Sequence, residues 1–354
     1  MQKKTTKTPQ LKVGVIGLGM GQGHVKRFNT HPDCKVVAIA DMDKIRLEAC
    51  KEKEGVEKGY TDGFDMISKE KLDIICVATP NKFHMPYTIA ALESGAHVLC
   101  EKPMAMNAEE ARKMNAAAKK ANKRIMIDFS YRFGKQIWAL KGQVDSGLLG
   151  DVYYGRTTWL RRRGIPNFGG WFGQKELAGG GPLIDLGVHR VDMALWLMGY
   201  PKPVSVMGVT AGFIGAEMAK KQNKKYDVED FAAGFVKFEN GAALSVEASW
   251  ASNIKENDRM VTELLGTKGG IKQYNLDEGY EFEAEIYIER EGLQYDMKLH
   301  PPIPDAPIAM HHFADAILND TPHTATGEEG LIVMEILDAL YESAATGKPV
   351  NIKR

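Results

Sequence analysis

"LKVGVIGLGMGQGH", residues Leu11–His24, is a short apolar run that breaks into glycines and then opens a helix. Backbone can approach a pyrophosphate closely only where side chains are missing, and the free N–H groups of a helix N-terminus favour the negative charge there. Gly17 and Gly19 take the first two positions of such a turn, and Met20 follows them. Strict spacing would put the third glycine at residue 22, which is Gln22, so Gly21 is expected to take its part. The next apolar run, "KVVAIAD", ends in Asp41, at about the ~20-residue distance where an acid meets the ribose hydroxyls of a bound dinucleotide. An acid there also repels a 2′-phosphate, so NAD is expected rather than NADP, with Arg46 as the one neighbour that could tolerate the phosphate. Asp41 could instead cap the helix "DKIRLEAC", a task Asp43 could equally perform.

Working outward, the alternation continues for about 130 residues. "LDIICVATP", "AHVLCEKP" and "RIMIDFS" are apolar strand-like runs, separated by "MPYTIAALESG" and "NAEEARKMNAAAKKAN", which have helical spacing. Asn107 and Glu110 are placed to open the second of these helices as N-cap and N3 residue. Continuous apolar strands between amphipathic helices predict a parallel, doubly wound sheet covered on both faces. After Gly150 the texture changes. "DVYYGRTTWLRRR", "PVSVMGVTAGFIG", "DFAAGFVKFENGAALSVEASW", "MVTELLGTKGGIKQYN" and "EFEAEIYIER" read as strands joined by tight turns, with a hairpin at Asn240-Gly241. Two helices, "APIAMHHFADAILND" and "GEEGLIVMEILDALYESAATG", close the chain. The expected fold is an α/β Rossmann domain over residues 1–130, then an α+β domain with a large, mostly antiparallel open sheet over residues 131–354.

The 354 residues carry 46 Lys+Arg and 46 Asp+Glu, a balance that argues against nucleic acid or an acidic membrane surface as partner. The polar start "MQKKTTKTPQ" lacks an apolar leader core, and no apolar run approaches the roughly 20 residues of a bilayer span, so a cytoplasmic location is expected. Cys34, Cys50, Cys76 and Cys100 form no CxxC pair and read as buried, inert thiols. No metal is expected: His311 and His312 are neighbours on a helix and point apart, and no His/Cys/Asp/Glu set has zinc-like spacing.

Two stretches carry chemistry. "EKP", Glu101–Pro103, ends a Rossmann strand, and ligands of such sheets lie at the carboxyl ends of the strands. Glu101 and Lys102 are therefore expected along the cofactor crevice. "GGGPLIDLGVHRVD", Gly179–Asp192, puts Asp185 four residues before His189, so on an α-helix both would share one face. Alone, such a pair could be structural, and Asp192 could face a substrate or pair within the helix.

The ordered set of glycine turn, "ATPNKFH", "EKP" and "GGGPLIDLGVHRVD", with "YRF" and "ATGEEGLIVMEILDALYESA", resembles the Gfo/Idh/MocA family over essentially the whole chain. These are NAD(P)-dependent oxidoreductases of sugars, cyclitols and related ring alcohols. The resemblance implies a catalytic group of Lys102, Asp185 and His189, a cis Lys102–Pro103 peptide, and Thr79, Pro80, Asn81 and His84 beside the nicotinamide ribose. It also implies a dimer or tetramer formed through the second-domain sheet. The chemistry suits these residues. Imidazole titrates near neutral pH and suits a base; a carboxylate orients it; an ammonium holds the alcohol oxygen as negative charge develops. Lysine and histidine could exchange parts of these roles.

A substrate wall is expected from "WLRRRGIPNFGGWFGQKELAGGG", where Trp159, Arg161, Arg163, Phe168, Trp171 and Phe172 gather aromatic faces for sugar rings and guanidinium groups for hydroxyls. An oligomer contact is the other reading of that loop. Tyr131 and Arg132 are further candidates. The expected activity is oxidation of a ring alcohol of a sugar, glycoside or cyclitol, with the 3-hydroxyl of a glucoside favoured by resemblance. The alternatives are an NAD-dependent, redox-neutral glycosidase and a non-catalytic NAD-binding regulator.

Overall fold

The computed structural model describes residues 10–352; most of the polar start of the chain, residues 1–9, lies outside the described residues. Two compact units emerge. The first comprises residues up to Met104, Glu109–Asp128 and Pro307–Gly327; the second comprises Ala105–Ala108, Phe129–Ala306 and the chain from Glu328 on. Neither is contiguous in sequence, because the segment around the penultimate helix belongs with the first unit.

The first unit alternates β1 (Leu11–Ile16), α1 (Gly21–Asn29), β2 (Cys34–Ala40), α2 (Lys44–Glu54), β3 (Lys58–Tyr60), α3 (Gly63–Lys69), β4 (Ile74–Val77), α4 (His84–Glu93), β5 (His97–Cys100), α5 (Ala108–Ala121) and β6 (Ile125–Ile127). The strands pair in parallel in the order β3-β2-β1-β4-β5-β6. The order reverses between β1 and β4, which puts the glycine turn after β1 at the switch point where such sheets bind ligands. Burial explains the sequence texture: every residue of β4 is buried, as is Val13–Ile16 of β1, so no polar alternation is possible. Helix α1 buries Gly21, His24, Val25 and Phe28, one face at helical spacing. β3 and α3 were not expected; β3 is three half-exposed or exposed residues, too short to show a period.

The second unit contains α6 (Lys135–Asp145), β7 (Val152–Arg161), α7 (Lys175–Ala178), α8 (Val188–Met198), β8 (Pro203–Ala211), α9 (Phe213–Lys221), β9 (Phe231–Phe238), β10 (Ala243–Ser249), β11 (Asp258–Gly266), β12 (Gly269–Asn275), β13 (Phe282–Arg290) and β14 (Leu293–Lys298). Helix α10 (Ala309–Leu318) falls in the first unit, and α11 (Gly327–Thr346) and β15 (Val350–Asn351) complete the second. Its sheet runs β14-β13-β12-β11-β7-β10-β9-β8-β15, antiparallel except for the β7–β10 pair. β9 and β10 form the expected hairpin, with Gly241 at φ +86° in its turn. The expected strand through "GFIG" stops at Ala211, and α9 begins at Phe213. α8 is buried from Val188 to Leu197 and packs on β7 and β11. Leu340 of α11 lies where a Cβ on Gly208 or Gly234 would stand, so this helix approaches β8 and β9 closely.

Candidate active site

In the first unit the glycine turn is shaped by contact. Gly17 has φ +86°, and a Cβ there would lie 2.4 Å from the Ala78 carbonyl oxygen. A Cβ on Gly21 would lie 3.0 Å from Val15, so Gly21 does permit close helix–strand packing, whereas Gly19 faces open space. The helix that starts there has Met20 as N-cap, no side-chain cap and no acidic residue in its first turn. Its N–H donors and positive dipole end thus remain for an anion.

Asp41 is a buried acceptor, not a helix cap. Its Oδ2 accepts from Leu18 N (2.7 Å) and Arg46 Nη1 (3.2 Å), and its Oδ1 from Asp43 N (2.8 Å). Asp43 caps α2, accepting from Ile45 N and Arg46 N. Carboxylate oxygens have lone pairs to spare, so Asp41 can still receive ribose hydroxyls. The Thr79 hydroxyl is buried and meets no partner among the described residues. Pro80 is half-buried, and Asn81 is buried in the turn before α4. His84 departs from expectation. It is fully buried, with Nδ1 2.7 Å from the Pro103 carbonyl and Nε2 2.8 Å from the Thr79 carbonyl. Both ring nitrogens are taken by main chain, so His84 braces two loops rather than reaching a ribose.

The Lys102–Pro103 peptide is cis. Behind it, Glu101 Oε2 accepts from Lys102 N (3.1 Å), and Glu101 Oε1 lies 2.7 Å from His24 Nε2. Asp128 Oδ2 is 3.7 Å from the same His24 nitrogen. This His–Glu–Asp cluster ties α1 to the ends of β5 and β6. Burial pulls the His24 pKa down, but the bond to Glu101 and the nearby charges outweigh it and leave it raised. Burial would push Glu101 up, but the bond to His24 holds it low. Asp128 has no such bond, and burial followed by the Glu101 charge raises it to about 6.

The sign of the consequence follows. The folded chain keeps the Asp128 proton over a window, from about pH 4 to pH 6, in which the unfolded chain has lost it. Stability therefore falls as pH rises through that window, and the penalty stays in full above it. Asp128→Asn is expected to melt higher than the parent at pH 8, by about 2–4 °C per kcal/mol recovered, with the gap closing below pH 5. Scanning calorimetry across pH checks this; a lower melting temperature at pH 8 would contradict it.

In the second unit, three glycines lead into the chemistry-bearing helix. A Cβ on Gly180 would lie 2.0 Å from the Tyr341 hydroxyl, and one on Gly181 2.1 Å from the Glu229 carbonyl. Glu229 is the reason for the close approach. Its carboxylate accepts from Gly181 N (2.8 Å), Leu183 N (3.2 Å) and Tyr341 Oη (2.8 Å), and so caps the helix start. Leu183–Gly187 is a π-helical turn, closed by Val188 N donating to Leu183 O, and α8 follows directly. The turn is wider than an α-turn, so Asp185 sits further round the axis than its α-spacing to His189 implied. From Gly181 to Leu197 Asp185 alone is not buried.

Trp250, fully buried at the end of β10, donates from Nε1 to Asp185 Oδ2 (3.0 Å). His189, 7% exposed, lies edge-on to Tyr131 (centroids 4.8 Å apart) and tilted to Trp159 (5.9 Å). Trp250, Trp159 and Leu186 share one apolar cluster, against which Tyr131 and Phe172 pack. Burial pushes the Tyr131 pKa up. Trp250 was not singled out from sequence. Its signal was an indole ending an apolar strand, since a buried indole N–H must find an acceptor.

The other expected substrate residues separate. Trp159 Nε1 donates to Asp258 Oδ1 (2.8 Å); Arg161 donates to Asp258 Oδ2 (3.1 Å) and Tyr280 Oη (2.9 Å) and lies over the Trp159 ring. Arg163 is held by the Ser252 carbonyl and the Asn253 side chain. Trp171 stacks on Phe172 at 3.9 Å, and Phe172 meets Trp250. Phe168 packs on Tyr226 instead. Arg132 is a correction. It is fully buried, donates from Nε and Nη2 to both oxygens of Asp192 (2.8 and 2.5 Å) and from Nη1 to Glu329 (2.9 Å), and contacts the Tyr200 hydroxyl. Nothing of it is left for a substrate, and Asp192 is its counter-ion. These two residues fix α8 from behind.

Trp250→Phe keeps the ring and deletes the donor to Asp185. A hydrogen bond to a charged group contributes about 1.5–3 kcal/mol, so kcat is expected to fall about tenfold or somewhat more with the KM for cofactor unchanged. Steady-state kinetics check this; an unchanged kcat would remove Trp250 from the site.

Residues 11–129 match the model of an oxidoreductase family with an NAD-binding Rossmann fold, and residues 141–352 match the model of the same family's C-terminal alpha/beta domain. The chain is 35% identical to D-glucoside 3-dehydrogenase of Escherichia coli, over 99% of this chain and 100% of that one. It is 27% identical to scyllo-inositol 2-dehydrogenase (NAD(+)) of Bacillus subtilis, over 97% and 96%. Among solved structures, levoglucosan dehydrogenase in complex with NADH and levoglucosan superposes with a TM-score of 0.85 at 28% identity, covering 98% of this chain and 100% of that one.

Proposed function

The chain belongs to the Gfo/Idh/MocA oxidoreductase family, and from that premise we propose that it oxidises a ring secondary alcohol of a sugar, glycoside or cyclitol with NAD, the 3-hydroxyl of a glucoside being the favoured target. The observation that carries this reading is the pair at the head of α8: Asp185, partly open and held by Trp250, and His189, packed against the rings of Tyr131 and Trp159. The acid and the base stand on one continuous helical segment, and the rings beside them come from the turn before α6 and from β7.

NAD, when bound, supplies the hydride acceptor. The uncapped N-terminus of α1, with Gly17, Gly19, Met20 and Gly21, would hold its pyrophosphate; Asp41 would accept the ribose hydroxyls; the Thr79 hydroxyl, Pro80, Asn81 and Glu101 would line the path toward Lys102. His189 takes the proton of the alcohol. Asp185 sets the ring and stabilises the imidazolium. Lys102 holds the alcohol oxygen and lowers the cost of its negative charge. Trp159, Arg161, Trp171 and Phe172 form the wall; the Trp159 N–H is taken by Asp258, and Arg161 is oriented by Asp258 and Tyr280.

The test is a panel of sugars, glycosides and cyclitols with NAD and with NADP, followed by reduced-nicotinamide absorbance. Reduction of NAD by a ring alcohol is expected. Aglycone release without reduced cofactor would replace this reading by the redox-neutral glycosidase, and a flat response by the regulator.

Self-association through the outer face of the second-unit sheet belongs to the same reading. That face exposes Met207, Val209, Phe235 and Leu265 among charged neighbours, apolar surface that water penalises. A monomer in sedimentation velocity would contradict it. No helix among the described residues is long and apolar enough to cross a membrane. A cytoplasmic location accords with the four buried free thiols.

A further inference from the structure

A cavity of about 650 Å³ opens within the second unit, with Tyr131, Phe133, Tyr280 and Phe282 among its aromatic lining and Gln273 among its polar lining. Its lining residue Tyr131 also touches His189. The Tyr131 ring lies between the His189 ring (4.8 Å) and the Phe282 ring (5.8 Å), and Trp159 bridges His189 (5.9 Å) to Tyr280 (6.3 Å). Aromatic faces thus run without a break from the proposed base into the cavity.

A second observation is independent of the rings. Arg190, the residue after His189, is fully buried, and its Nη2 donates to Oε1 of Gln273 (3.3 Å). Its Nε and Nη1 meet no acceptor among the described residues. A buried guanidinium with unused N–H groups carries the full desolvation cost of those donors until something accepts from them. The residue that joins it to the cavity lining is Gln273, itself 2% exposed. Arg190 thus holds the Gln273 amide in place, and flat aromatic walls with a fixed amide among them make a chemistry suited to one kind of ligand: a ring with C–H faces and hydroxyls. The volume lies within the range of about 300–1,000 Å³ that encloses drug-sized ligands, room for more than a single pyranose.

We propose that this cavity is a second subsite, which holds a pyranose ring joined through its glycosidic oxygen to the ring being oxidised. The natural substrate class is then a disaccharide or longer glucoside rather than a free monosaccharide. The proposal rests on the dehydrogenase reading above and narrows it.

The experiment compares kcat/KM for methyl β-glucoside, phenyl β-glucoside and a set of glucose disaccharides, in the parent enzyme and in Phe282→Ala and Gln136→Trp. The first variant removes a wall; the second fills the cavity from α6 without removing one. In the parent, the best disaccharide should exceed methyl glucoside by about tenfold, and both variants should erase most of that ratio while methyl glucoside changes less than about threefold. Equal kcat/KM for methyl glucoside and every disaccharide in the parent overturns the subsite alone, as does a ratio that survives in both variants. Preference for phenyl glucoside over every disaccharide overturns the choice of a sugar ring. Oxidation of none of these glycosides overturns the glucoside reading itself, and the subsite with it.

Discussion

Replacing His189 with alanine is expected to lower kcat by about 10²–10⁴-fold, the usual contribution of a positioned general base. His189 is the one imidazole carried by the glycine-led helix head, 7% exposed and packed against Tyr131 and Trp159. A water admitted by the truncation is a far weaker base at neutral pH and is not oriented by Asp185. The kcat/KM for the alcohol should fall in parallel, because the lost interaction belongs to the transition state. Binding of NAD, followed by fluorescence titration, should change little, since the glycine turn and Asp41 belong to a different compact unit. A kcat within a few-fold of the parent would remove His189 from proton transfer and favour Lys102 as base.

Lys102→Ala is expected to cost about 10²–10³-fold in kcat, the loss seen when a preorganised donor to a developing oxyanion is removed. The placement of this lysine is determined from behind. Glu101 accepts from the Lys102 main-chain N–H and is itself bound to His24 on α1, so the loop is anchored to the helix that begins at the glycine turn. The His84 bond to the Pro103 carbonyl fixes the other side. Lys102→Arg should not rescue the activity. A planar fork does not reproduce a point charge of that length. Full rescue by arginine would mean that charge alone is required at this position.

The Rossmann half was largely legible because β1, β2, β4 and β5 are mostly buried on both faces and at least four residues long, and three-residue β6 is wholly buried. β3, at three residues, carries too little pattern to be seen. The return of α10 to the first unit has no local signal at all. It is made by contacts such as Ile127 N to Ala325 O and Arg124 Nη1 to the Ala316 carbonyl, between segments nearly 200 residues apart. The same limit explains Arg132 and Asp192. Sixty residues separate them, and only the fold shows that each neutralises the other. His84 failed for a different reason: its place in the chain was right, but its two ring nitrogens serve main-chain carbonyls. Asp185 and His189 were visible as a pair, yet the π-helical turn and the Trp250 donor that hold the acid were not. The triple glycine is explained by Glu229 and Tyr341, which no spacing rule connects to it.

The central claim is that a hydride leaves a ring carbon of the substrate for NAD. A glucoside deuterated at carbon 3, incubated with NAD and the enzyme, tests it directly. The account predicts that mass spectrometry will find the deuterium in the reduced cofactor, with the keto-glucoside formed in equal amount. Unlabelled reduced cofactor with the deuterium retained in the sugar would contradict oxidation at that carbon, and hydrolysed glucoside with the cofactor still oxidised would contradict the dehydrogenase.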